Sequence, residues 1–261
     1  MITIKSDREI EIMREVGKMA AKTLHFLGTQ LREDMSTEQI NKMCHEYTIN
    51  RGGTPATLGY HGFPKSLCTS RNEVICHGIP SEKEFIKDGD IINLDVTTIW
   101  KGFHGDTNKT FLIGQVKPEV QKLVEVTQQC LMAGISVCRP GARVGDIGAV
   151  IEEMAHDHGF SVVHEYCGHG IGRKFHEEPQ IVHVGKKGTG VELRPGMTFT
   201  VEPMINLGKR HCKLLEDGWT VVTKDKSWSA QFEHTVLITE SGYEILTQFA
   251  PEEWTSEDEK I

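Results

Sequence analysis

From Ile91 to Ile113 the chain reads IINLDVTTIWKGFHGDTNKTFLI, and its first half alternates, with Ile92, Leu94 and Val96 on one side and Asn93 and Asp95 on the other. A period of two marks a half-buried β-strand. Lys101-Gly102 then offers a turn. If that turn is a two-residue hairpin, position 97 lies opposite Asp106, and Asp95 and Asp106 become same-face diagonal neighbours at a backbone separation of roughly 7–8 Å. Upstream the period changes. Ser6 and Glu9 form a capping box, and Ile10, Met13, Gly17, Ala20, Leu24 and Leu27 follow at helical spacing, which predicts a first long helix. A second helix begins at Ser36 with Gln39 closing its box, runs through Ile40, Met43, Cys44 and Tyr47, and ends at Gly52-Gly53. Short strands and loops are expected from there to Ile86.

The second half starts over. Pro118 suits the first turn of a helix, Val120, Leu123, Val124, Val126 and Leu131 continue it, and Arg139-Pro140-Gly141 breaks it. A further helix through Ile147, Val150, Ile151 and Met154 stops at Gly159. Ile40, Met43 and Gly52 thus recur as Ile147, Val150 and Gly159, each at an offset of 107 residues. The same offset lays KDGDIINLDV (87–96) on RPGMTFTVEP (194–203), with Gly89 on Gly196 and Asp95 on Glu202. About twenty extra residues follow, after which SAQFEHTVLI (229–238) matches the return strand of the first hairpin and places Asp106 on Glu233, at an offset of 127. The pattern is that of a duplication: two helix-helix-hairpin halves, about 5–113 and 117–246, related by a pseudo-two-fold within one domain spanning 1–250. The expected architecture is an α+β layer fold, with a largely antiparallel sheet and helices packed on one face. Residues 251–261, with EEWTSEDEKI after Pro251, read as an acidic, mostly solvated tail.

At 261 residues and 29.3 kDa the chain can bury a sizeable core. Lys and Arg number 29 against 37 Asp and Glu, a net charge of −8 that disfavours nucleic acid as the main partner, since phosphate contacts need a basic face. No apolar run approaches the roughly 18 residues a membrane span requires, and the N-terminus lacks the apolar stretch of a signal peptide, so a cytoplasmic protein without membrane attachment is expected. Seven cysteines without a C-x-x-C argue against a disulfide framework and a cysteine zinc site; most are expected to be buried as small apolar residues.

Two ionised carboxylates about 4 Å apart repel by roughly 4 kcal/mol at an effective dielectric of 20, so the Asp95/Asp106 pair needs compensation. A bound dication provides it. On this segment alone, a shared proton or hydrogen bonds near the turn provide it equally well. Four carboxylates converging from two halves suggest a site for two metal ions, whose oxygen-rich shell suits Mn²⁺, Fe²⁺, Co²⁺ or Zn²⁺. The candidate nitrogen ligand is His169 in EYCGHGIGRKFHEEP (165–179), where Gly168 and Gly170 allow close approach; a hydrogen-bonded structural role is the ordinary alternative. Gly168-x-Gly170 does not extend to a dinucleotide fingerprint, because Arg173 stands where the third glycine belongs, and no H-E-x-x-H occurs.

Taken together, NEVICHGIP (72–80), DGDIINLDV (88–96), FHGDT (103–107), GHGIGRKFHEEP (168–179), GMTFTVEPM (196–204) and SAQFEHTV (229–236) resemble the short bacterial form of the type I methionine aminopeptidase family, over about Ile4 to Leu246. The resemblance implies the pita-bread fold, in which two pseudo-symmetric halves enclose a dinuclear site. It implies that Asp95, Asp106 and Glu233 hold one divalent ion (Co, Mn, Fe or Zn), while His169 and Glu202 join Asp106 and Glu233 on the other. The implied activity is removal of the initiator methionine from nascent proteins and peptides with a small second residue, by a hydroxide bridging the two ions. His176 is expected to steady the developing oxyanion, His77 to contact the scissile amide, and Glu202 to shuttle a proton to the departing amine. Without the resemblance, His77 and His176 read as structural.

The family's methionine pocket maps onto Tyr60, Phe63, Cys68, His77, Phe175 and Trp219, apolar and partly aromatic as a thioether side chain requires. Thr57 and Phe63 stand where some close relatives have cysteine and tyrosine, which bears on tolerance for bulkier second residues. The resemblance also implies a monovalent cation, Na⁺ or K⁺, on backbone oxygens around Asn72, Val74 and Ser229. Expected partners are nascent polypeptide N-termini and the ribosome surface, the latter through a localised basic patch, and the chain is expected to be a monomer. Two other functions are open to this fold. Relatives that cleave Xaa-Pro bonds usually add an N-terminal domain, whereas this chain begins directly with the first helix. Non-catalytic pita-bread modules have lost their ligands, whereas here all five are present.

Overall fold

The duplication seen in the sequence is a duplication in space. In the computed structural model, which describes residues 2–261, the first half consists of α1 (Asp7–Gln30), α2 (Thr37–Asn50), β1 (Thr54–Pro55), β2 (Cys68–Arg71), β3 (Val74–Cys76), β4 (Ile91–Trp100) and β5 (Phe103–Leu112). The second consists of α3 (Pro118–Ser136), α4 (Val144–Asp157), β6 (Ser161–Val162), β7 (Gly168–Gly170), β8 (Glu177–Ile181), β9 (Thr198–Val201), β10 (Met204–Asn206), β11 (Cys212–Leu214), β12 (Val221–Thr223), β13 (Ser229–Ile238) and β14 (Tyr243–Ile245). No helix among the described residues is long and apolar enough to cross a membrane.

Local chemistry sets the helix ends where the pattern placed them. At α2 the capping box closes fully, Ser36 Oγ accepting from the Gln39 amide at 3.2 Å and Gln39 Oε1 from the Ser36 amide at 2.8 Å. Gly52 and Gly159, one repeat apart, leave α2 and α4 in the left-handed region at φ 79° and 77°. Gly89 and Gly196, before the site strands, are likewise left-handed at φ 86° and 81°. The offset of 107 therefore repeats backbone conformation as well as residue type.

The main sheet runs β1-β4-β5-β13-β9-β7-β8, and its pairings are antiparallel. α1 packs on β4 and β5 and α3 on β13, with α2 and α4 against them. Each half has its own core. Ile92, Leu94 and Val96 of β4 join Leu24, Leu27, Ile40 and Tyr47 of α1 and α2. Phe199, Val201 and Phe232 join Leu123, Leu131, Ile147 and Ile151 of α3 and α4. Strand alternation then turns Asn93, Asp95 and Thr97, and their second-half counterparts, away from the helices.

The extra residues of the second half form the β11–β12 hairpin, and β12 crosses over to pair with β3 of the first half. All seven cysteines are free, and five of them are buried: Cys44, Cys68, Cys76, Cys130 and Cys138. The C-terminal segment is mostly exposed, as its acidic composition suggests, and it is tied down at a few points. Trp254 packs against the first-half core, Asp258 meets Lys22 Nζ at 2.9 Å, and the Tyr47 hydroxyl donates to the Asp258 carbonyl at 3.1 Å.

Candidate active site

The turn at Lys101-Gly102 has φ of 50° and 77°, the two positive values a primed two-residue hairpin needs. It sets Thr97 opposite Asp106 and Asp95 opposite Asn108, so the two aspartates are diagonal neighbours as their spacing predicts. In the second half the equivalent of β4 is interrupted at Glu202-Pro203, between β9 and β10. The Glu202 amide leaves the strand ladder there and donates to Nε2 of buried His183 at 3.1 Å. Glu233 lies within β13 opposite Asn108, at the seam between the halves.

His169 comes from β7. Its amide donates to Thr200 Oγ1 at 3.0 Å, and its ring Nδ1, facing the Gly170 carbonyl at 3.0 Å, must be the protonated nitrogen because a carbonyl only accepts. In the neutral ring Nε2 therefore carries the lone pair. It lies 3.6 Å from Asp106 Oδ2 and 3.7 Å from Glu202 Oε1, too far for hydrogen bonds and suited to donors that share a cation. One ligand atom each from Asp106, His169 and Glu233 lies within 4.8 Å of the others.

Neutral donors orient these acids without cancelling their charge. Thr97 donates to Asp106 Oδ1 at 2.8 Å, Asn108 to Glu233 Oε2 at 2.7 Å, and Thr200 and Gln231 to the two oxygens of Glu202 at 2.7 and 3.2 Å. Asp95 Oδ1 and Glu233 Oε1 are buried with no hydrogen-bond partner among the described residues. Burial, then the neighbouring charge of Asp106, pushes Asp95 and Glu233 well above the usual carboxyl range, and burial brings Glu202 to about 7. Orphaned acceptors, unneutralised acids and one imidazole lone pair form a donor set that divalent cations complete.

These ligands floor a cavity of about 280 Å³ whose walls include Tyr60, Phe63, Cys68, His77, Phe175, His176 and Trp219 as well as Asp95, Asp106, His169, Glu202 and Glu233. Every residue assigned above to metal, catalysis or the methionine pocket is thus brought to one place. Phe175 stacks between His104 and His176, with ring centroids 5.7 and 4.4 Å away. Trp219, carried in by the β11–β12 hairpin, meets Phe63 edge-on at 5.2 Å and His77 at 6.2 Å. Burial holds His77 below its ordinary pKa, and burial with the neighbouring His169 brings His176 to about 4, so both rings are neutral donors or acceptors at pH 7. Asn72 stands apart from the cavity; its carbonyl accepts from the Ser229 amide at 2.9 Å, and Val74 pairs with Val222.

A second register in the sequence is concealed by the 107-residue one. His77-Gly-Ile-Pro80 and His176-Glu-Glu-Pro179 are the same H-x-x-P element at an offset of 99, and Cys68 and Cys167 share that offset. Sequence reasoning missed Cys76, Glu165, Tyr166, Cys167 and Met204 of the cavity wall, Gln231 on its floor, and the orienting residues Thr97, Asn108 and Thr200. The orienting residues left a signal, since each lies two positions from, or directly across the hairpin from, an acid on the same strand face.

Comparison with known proteins agrees with this geometry. Residues 11–240 match metallopeptidase family M24. The chain is 49% identical to the methionine aminopeptidase of Escherichia coli strain K12, over 94% of each chain, and 53% identical to methionine aminopeptidase A of Synechocystis, over 94% of this chain and 97% of that one. The crystal structure of methionine aminopeptidase from Rickettsia prowazekii superposes with a TM-score of 0.93 at 48% identity, over 95% of this chain and 100% of that one. The chain therefore belongs to metallopeptidase family M24 and, within it, to the methionine aminopeptidases, metal-dependent hydrolases of an N-terminal residue.

Proposed function

We propose that the site holds two divalent ions and removes the initiator methionine from nascent proteins and peptides whose second residue is small. One observation carries this reading: acids from both halves, two of them with orphaned oxygens, converge beside one imidazole lone pair on the floor of a small aromatic cavity. In this reading Asp95, Asp106 and Glu233 hold one ion, and His169, Glu202, Asp106 and Glu233 the other. Bound there, divalent ions would supply Lewis acidity toward the scissile carbonyl and would acidify a water. Mn²⁺, Fe²⁺, Co²⁺ and Zn²⁺ all suit the donor set.

The chain's own residues do the rest. Tyr60, Phe63, Cys68, Phe175 and Trp219 enclose the thioether side chain and exclude water from it. A free terminal amine at the acidic floor marks the chain end. His77 contacts the scissile amide, His176 steadies the carbonyl oxygen as it gains charge, and Glu202 carries a proton to the leaving amine. Thr57 and Phe63 line the same wall and set the room for the second residue.

Exposed Lys209, Lys213, Lys224 and Lys226 lie in and beside the β11–β12 hairpin that also carries Trp219, interspersed with Glu216, Asp217 and Asp225. These lysines are the side chains that a cytoplasmic monomer meeting emerging N-termini would offer to the ribosome surface. The reading is tested with Mn²⁺- or Co²⁺-loaded protein, which should cleave Met-Gly-Ser peptides and spare their N-acetylated forms. Equal cleavage of blocked peptides contradicts it.

A further inference from the structure

Tyr60 does more than wall the pocket. Its loop is firmly set: the Gly59 amide donates to the Phe63 carbonyl at 2.8 Å, the Phe63 amide to the Tyr60 carbonyl at 2.9 Å, and Gly59 and Gly62 take left-handed φ of 84° and 89°. Farther along, α2 anchors the loop's end, Glu38 holding Lys65 at 2.6 Å and Asn41 Oδ1 accepting from the Ser66 amide at 2.8 Å. From this support the Tyr60 hydroxyl reaches His176 Nδ1 at 2.7 Å. No other hydrogen bond reaches that hydroxyl or that ring among the described residues.

A phenol is a good donor, and this one has a single partner, the imidazole nitrogen. When the hydroxyl donates to Nδ1, the neutral ring must carry its own proton on Nε2. Nε2–H is the group an oxyanion stabiliser needs, because the other tautomer would present a lone pair to a developing negative charge. We propose that Tyr60 is a positioning residue for the reaction, its hydroxyl fixing both the tautomer and the orientation of His176. The inference rests on the oxyanion role given to His176 above. It has a consequence for specificity, since the Tyr60 ring packs on Phe175 at 4.8 Å in the methionine pocket. Seating the side chain and aiming the donor are then coupled through one residue, and a poorly fitting first residue is penalised in kcat as well as in KM.

The test uses the full chain, loaded with diamagnetic Zn²⁺ for imidazole ¹⁵N spectroscopy and with Mn²⁺ for kinetics, and compares Tyr60→Phe with His176→Gln. The inference predicts a singly protonated His176 with its proton on Nε2 in the parent. In Tyr60→Phe the fixed tautomer should be lost and kcat should fall by about 10–100-fold, the usual effect of removing an orienting partner, with KM within about threefold. A parent ring protonated on Nδ1, an unchanged tautomer in Tyr60→Phe, or a variant that loses only KM overturns it. If His176→Gln retains full kcat, the role given to His176 fails. If His176→Gln is impaired while Tyr60→Phe is not, that role stands and the inference about Tyr60 falls.

Discussion

At Asp106, Thr97 donates to the carboxylate, the backbone amide donates to Thr235 Oγ1, and His169 Nε2 faces the carboxylate at 3.6 Å. Replacing one charge in a buried cluster of four acids that faces a single imidazole removes repulsion from the metal-free protein while removing a candidate ligand from the metal-loaded one. Asp106→Asn should therefore abolish peptide cleavage and reduce metal loading, yet raise the melting temperature of the metal-free protein. Elemental analysis beside thermal melts of chelated samples checks this, and a lower metal-free melting temperature runs against it. Proton linkage follows from the same crowding. Asp95, Glu202 and Glu233 all titrate above their ordinary values, with burial the leading cause, and Glu202 does so at about 7. Between the unfolded carboxyl value and the raised folded one, the native metal-free site binds more protons than the unfolded chain. Its stability thus declines as pH rises through that window, for Glu202 up to about 7. Metal must displace these protons, so Mn²⁺ affinity should fall as pH drops, by up to about tenfold per unit for each proton displaced. Calorimetric titration at pH 7 in buffers of different ionisation enthalpy should show net proton release, and none would count against the site. At this scale the four candidate carboxylates were legible because strand alternation assigns faces and the repeat doubles the evidence, whereas His169 was marked by its flanking glycines and by the family resemblance. Thr97, Thr200, Asn108 and Gln231 were not, because polar residues on a strand face look solvated until a second half covers them. His77 and His176 were legible only through family resemblance, their own repeat being displaced by the irregular segments between the helices and the site strands.

Among the elements, the four helices and the central hairpin follow from local signals: capping boxes, Pro118, the left-handed glycines and the two-residue turn. The N-terminal strap does not. Lys5 is buried at 6% exposure, its amide donates to the Gly196 carbonyl at 2.8 Å, and its Nζ meets Glu177 Oε2 at 2.8 Å, a pairing of residues far apart in sequence. Burial alone would raise Glu177, but its bonds to Lys5, Thr3 and the Lys174 amide prevail and hold it below its ordinary value. A carboxyl depressed in the folded state contributes stability that is present above its unfolded pKa and lost as pH falls through the folded one. Lys5→Met should cost about 3 kcal/mol at pH 7 by stranding a buried carboxylate. The penalty should shrink below the ordinary glutamate pKa, as the stranded acid becomes neutral. Urea titrations of both proteins at pH 7 and pH 4 measure this, and a penalty equal at both would show that the ion pair is not its source. The interrupted strand before Met204 and the crossing of β12 to β3 were likewise hidden, since one depends on His183 accepting a stray amide and the other on pairing between halves.

Over the whole molecule, each half closes a separate apolar core behind its own strands, and the two meet where β5 pairs with β13 at Lys109–Phe232 and Asn108–Glu233. Neither half holds all five candidate ligands. Asp95 and Asp106 come from one, Glu202, Glu233 and His169 from the other, and the β11–β12 hairpin returns Trp219 across the divide to roof the pocket. The pseudo-two-fold was readable in the sequence because both acids recur in register. The tight fit of the seam was not, because no local pattern encodes which strands of the two halves meet. The central claim is that this seam gathers two divalent ions. A Mn²⁺-soaked crystal measured at a wavelength where manganese scatters anomalously tests it most directly. Two peaks enclosed by Asp95, Asp106, His169, Glu202 and Glu233 are predicted; a site without manganese, or manganese held elsewhere while these side chains turn from one another, contradicts it.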